Sequence, residues 1–63
     1  MRIKDKEIWG TALQVERQHG ENAPHFIAER IGELALAGDF EGVATWKAIA
    51  GRLDTLAQRR LLT

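Results

Sequence analysis

Two short joints, His19-Gly20-Glu21-Asn22 and Ala37-Gly38-Asp39, cut this chain into three stretches whose apolar residues recur at helical spacing. Each joint pairs a glycine suited to ending a helix with a following residue suited to capping the next one. Little chain remains for anything but helix. The pattern therefore predicts an all-α, compact three-helix domain, with helices at about 6–19, 23–37 and 40–59, and residues 1–63 forming a single domain.

Each stretch carries an apolar stripe at about 100° per residue. In the first, Ile8, Ala12 and Val15 line up, widened by Trp9 and Leu13, and Asp5 is the candidate N-cap. In the second, Ile27, Ala28, Ile31, Leu34 and Ala35 form the stripe, with Asn22 as candidate cap and Pro24 tolerated in the first turn. The third presents Val43, Trp46, Ile49, Ala50, Leu53, Leu56 and Ala57, opposite Lys47, Arg52, Thr55 and Arg59. The expected core is Ile8, Ala12, Val15, Ile27, Ile31, Leu34, Val43, Trp46, Ala50 and Leu53.

Some residues do not serve that single core. Gly10, Gly32, Gly42 and Gly51 fall inside helices, each costing about 0.5–1 kcal/mol relative to alanine. Gly10, Gly32 and Gly51 lie off the stripes, which suits either close helix approach on an outer surface or tolerated weakness facing solvent. Phe26 and Leu36 also lie off the stripe of the second helix, Phe40 sits at the second joint, and Leu61 and Leu62 close the chain. Several such residues in so small a protein are candidates for one exposed patch, and exposed patches mark interfaces.

Length and composition narrow the function. A chain of 63 residues buries only about 60% of its unfolded surface, so its core is marginal and gains from a staple or a partner. With no cysteine, disulfides and thiolate metal sites are excluded. Serine and tyrosine are also absent, leaving Thr11, Thr45, Thr55, Thr63 and three lysines with no evident activating base, so no catalytic residue is assigned. Gly38-Asp39-Phe40-Glu41-Gly42 is acidic and lacks the Lys-Ser/Thr of a phosphate-cradling loop. The chain is read as a non-enzyme that needs no cofactor and no metal. No apolar run approaches a membrane span, and Met1 to Lys6 leads into no signal-peptide core. A soluble, cytoplasmic protein is expected.

Two constellations carry possible chemistry. Glu16 and His19 share a face at i,i+3, with His25 and Glu29 across the turn at i,i+4. Glu-x-x-His spacing serves carboxylate-bridged metal pairs, but those need several copies. The simpler reading gives His19 a place at a helix C-terminus and makes His25 with Glu29 a solvated surface pair. The second constellation is electrostatic. Net charge is zero, yet residues 16–41 are acidic and residues 42–63 basic. A helix-turn-helix-like nucleic-acid binder would read with the third helix, using Lys47, Arg52 and Arg59 on phosphates. The acidic second helix and joint oppose this where phosphates would pass.

The segments Glu7-Ile8-Trp9, Val15-Glu16-Arg17-Gln18-His19-Gly20, Phe26-Ile27-Ala28-Glu29-Arg30-Ile31-Gly32, Leu34-Ala35-Leu36-Ala37-Gly38-Asp39 and Gly42-Val43-Ala44-Thr45-Trp46-Lys47 resemble a family of short, uncharacterised alphaproteobacterial proteins, a domain of unknown function. The similarity covers roughly residues 7–56. It implies a bacterial, cytoplasmic, single-domain helical protein and gives no residue a role. The function expected from the residues themselves is a small protein–protein interaction module, homodimeric or docked on another protein. Its candidate interface is Trp9, Leu13, Phe26, Leu36, Phe40, Leu61 and Leu62.

Overall fold

Helical spacing in the sequence becomes helix almost throughout. A computed structural model describes residues 4–62, with side chains for residues 4–59. Helix α1 spans Asp5–His19, a 3₁₀ turn Gly20–Asn22, α2 Ala23–Leu36 and α3 Phe40–Leu62. The fold is all-α, and the described residues contain no strand.

The number of separate helices differs from the expectation. Every residue from Asp5 to Leu36 lies in α- or 3₁₀-helix. The structure is therefore two helical runs, the first one bent, and not three helices divided by two breaks. The bend rests on Gly20, whose φ of 54° and ψ of −125° turn the chain, while its N–H still bonds the Glu16 carbonyl. Asn22 follows with helical dihedrals and caps nothing, so its predicted capping role is not realised.

The second joint breaks the helix, as expected, and its hydrogen bonds show why. Gly38 takes φ 76°. Its N–H bonds the Ala35 carbonyl at 3.0 Å, and the Asp39 N–H bonds the Leu34 carbonyl at 2.9 Å. These are the paired bonds of a glycine-terminated helix, and they satisfy carbonyls that would otherwise be orphaned. Asp39 then caps α3, its Oδ1 accepting from the Gly42 N–H at 3.0 Å. Caps of this kind contribute about 0.5–2 kcal/mol. Asp5, by contrast, is already inside α1. The N-cap there is Lys4, with extended backbone and no side-chain capping bond.

Helix α3 packs about equally on both arms of the bent run, whereas the arms touch one another sparingly. The core gathers Ile8, Ala12 and Val15 from α1, Ala23 and Ile27 from α2, and Ile49 and Leu53 from α3. Ile31, Trp46 and Ala50, expected at its centre, are only half-buried against it. Leu34 and Val43 are half-buried too. The cause is the open side of the assembly: α3 lies across both arms, and no further element among the described residues closes over the α2–α3 edge. A Cβ added at Gly10, Gly32 or Gly51 would meet nothing within 4 Å, so none of them serves a close approach inside the chain.

Candidate functional site

At the bend, aromatic side chains lock α1 to α2 and both to α3. The His19 ring, last in α1, stacks on Phe26 of α2 with centroids 4.0 Å apart and planes 14° apart. Phe26 meets Trp46 of α3 edge to face at 6.0 Å and 71°. The Arg30 guanidinium lies 5.9 Å from the centre of the Trp46 ring. Such contacts add about 0.5–1.5 kcal/mol per aromatic pair beyond area burial. Phe26, one of the expected interface residues, is half-buried in these contacts. His19 is occupied in the same way. His25 Nε2 lies 2.8 Å from Glu29 Oε1, and both side chains are exposed, as expected of a surface pair. Among the described residues no three His, Asp or Glu side chains converge as metal ligands would.

The expected basic face of α3 is divided. Arg52 follows Lys47 by five residues, about 140° around the helix. It turns toward α1, where Nη2 bonds Asp5 Oδ1 at 2.6 Å and the guanidinium lies 5.2 Å from the centre of the Trp9 ring. Arg52 Nε is covered and has no hydrogen-bond partner among the described residues. The half-exposed ion pair is worth about 0–1 kcal/mol, with the ring contact adding to it. Arg52 therefore ties the start of α1 to α3, and Trp9 is its half-buried platform. Lys47 and Arg59 are exposed.

Three large apolar side chains among the described residues also face outward. Leu36 is 93% exposed and Phe40 74% exposed, on either side of the second joint, and Leu13 is exposed on α1. The side chains of Leu61 and Leu62 lie outside the described residues. Away from the second joint, a groove of about 250 Å³ runs between the start of α2 and the second half of α3. Its walls include Pro24, Ala28 and Ile31 on one side and Ala50, Asp54 and Ala57 on the other. Sequence reasoning put Ala28 and Ala57 in the apolar stripes and Pro24 in a first turn, and foresaw no groove that joins them with Asp54. Their signal was the recurrence of small residues at three- and four-residue spacing on the edges of the stripes, where core and surface are not distinguished by hydropathy.

A family model described as a family of unknown function, DUF6961, matches residues 4–61. The chain belongs to the DUF6961 family. The match extends the resemblance carried by the segments within residues 7–56 to nearly the whole helical assembly. DUF6961 has no known function to lend, so roles within it rest on the geometry above. Comparison with curated proteins and with solved structures gives no match. No helix among the described residues is long and apolar enough to cross a membrane.

Proposed function

We propose that this protein is a small non-enzymatic interaction module that acts as a homodimer, in the bacterial cytoplasm that the family resemblance implies. The observation that carries the reading is the open α2–α3 edge, a groove with largely apolar walls and half-buried Ile31 and Ala50, together with strongly exposed Leu36 and Phe40 at the joint that closes the same hairpin. A marginal core of this size gains stability when such an edge is covered by a second chain. The nucleic-acid alternative is supported by Lys47 and Arg59, but it loses Arg52, which is held by Asp5 and Trp9.

Light scattering over a concentration series should show a mass rising to that of two chains, with a melting temperature that climbs with concentration. A single-chain mass and a constant melting temperature throughout would refute the homodimer.

A further inference from the structure

The outward face of α3 has a charge pattern that its packing within the chain does not use. Residues seven apart on a helix differ by only about 20° in direction, so Phe40, Lys47 and Asp54 form one stripe. Around it lie Val43, Ala44, Ala50, Gly51 and Ala57. The other charged residues of α3 with described side chains, Glu41, Arg52 and Arg59, lie about 120–160° away by the same arithmetic. The face therefore holds one positive and one negative charge, about 10 Å apart, among small and apolar side chains and the uncharged Gln58. Lys47 and Asp54 are both exposed. Lys47 has no ion-pair or hydrogen-bond partner among the described residues, and Asp54 meets only the Gln58 amide at 3.5 Å while forming part of the groove wall.

A plus–minus pair on one helix face is complementary to its own copy turned end for end. We infer that a second copy of this chain docks on this face, α3 against α3 antiparallel about a two-fold axis between residues 50 and 51, with Lys47 of each copy opposite Asp54 of the other. This rests on the homodimer reading above and assigns its interface. The register has further support. It puts Ala50 and Gly51 at the crossing point, where small residues let two backbones approach. Gly51 is a helix-weakening residue with open space beyond its Cα, and the crossing gives it a reason that the single chain does not. The same register sets Ala44 of one copy opposite Ala57 of the other. The interface is isologous, as two-fold symmetry requires.

The test is sedimentation or light scattering of the full chain as wild type, as Lys47→Glu, as Asp54→Lys, and as an equimolar mixture of the two variants. Each variant alone faces itself with two like-charge pairs, and its dimer should weaken by at least about tenfold. The mixture restores opposite charges at both contacts and should recover dimer as a heterodimer. Helical circular dichroism at low concentration establishes that each variant folds. Gly51→Leu provides an arm independent of charge: it faces open space within one chain, favours helix, and should leave a folded monomer. Recovery in the mixture together with loss in Gly51→Leu supports the assignment. A wild-type dimer unmoved by the three variants, or variants that dissociate alone and fail to recover when mixed, would overturn this face while leaving the homodimer reading in place. A monomeric wild type would overturn both.

Discussion

Replacing Ile49 with alanine is expected to cost about 2–5 kcal/mol, close to the whole stability of a domain this size, which is about 3–9 kcal/mol. Ile49 is 1% exposed, and only Ile27 matches it among the large buried side chains. It sits on α3, the element that both arms of the bent run pack against, so a cavity there loosens both packing surfaces at once. Trp46, which helical periodicity ranks as a core residue, is half-buried and shares its ring with Phe26 and Arg30. The largest side chain is therefore not the site of the largest loss. Denaturant titration should show Ile49→Ala with little or no folded baseline, beside Gln14→Ala at nearly wild-type stability because that side chain is exposed on α1 and belongs to neither the core nor the proposed interface. Equal midpoints for the two variants would contradict the assigned core.

The second large effect is expected at the bend. Gly20→Ala should destabilise by about 1–3 kcal/mol even though a Cβ there meets nothing within 4 Å. The cost is in the backbone. A φ of 54° with ψ of −125° is open to glycine and closed to L-residues. Straightening into one continuous helix does not relieve it, because Pro24 would then press its ring on the Gly20 carbonyl four residues back. The mirror image of this conformation is ordinary extended backbone, so D-alanine fits it without strain. Chemical synthesis of the chain with D-alanine at residue 20 should leave the melting temperature at or above that of the wild type, through a less flexible unfolded state. If L-alanine proves neutral, Gly20 is not what turns the chain.

The same residue marks the limit of what the sequence discloses. Gly20 and Gly38 present one signature, a glycine followed closely by a capping residue, and the outcomes differ. At Gly38 the following Asp39 leaves the helix and caps the next one through Gly42. At Gly20 the chain re-enters helical geometry at once, and Asn22 has no cap to make. The distinction lies in backbone dihedrals that composition does not encode. Helical periodicity located the elements and most of the buried residues, since a 3.6-residue repeat reports directly on which face is dry. It was less informative about polar and amphipathic side chains, whose direction depends on a partner far along the chain. Asp5 looks like a cap until Arg52 is brought to it from 47 residues away. Arg52 looks like a surface cation until Trp9 lies beneath it. Phe26 looks exposed until His19 and Trp46 enclose it. The groove was illegible for the opposite reason: small residues at stripe edges suit burial and exposure alike.

Because the two arms of the bent run meet less extensively than each meets α3, an unequal order of assembly is expected. The α2–α3 hairpin closes over three residues, Ala37 to Asp39, whereas α1 reaches α3 only after all of α2 has been placed. Closure over the longer path costs more chain entropy and is reached later in folding. Helix α1 is accordingly expected to detach first from the native state, held at its start by the Asp5–Arg52 contact and along its length by Ile8, Ala12 and Val15. Native-state hydrogen exchange should find α1 amides opening at lower free energy than those around Ile27 and Ile49. In that partly opened form the face of α3 that Arg52 now shields would be uncovered, while the outward face bearing Lys47 and Asp54 would be unchanged. Docking through the outward face therefore does not require α1 to be seated.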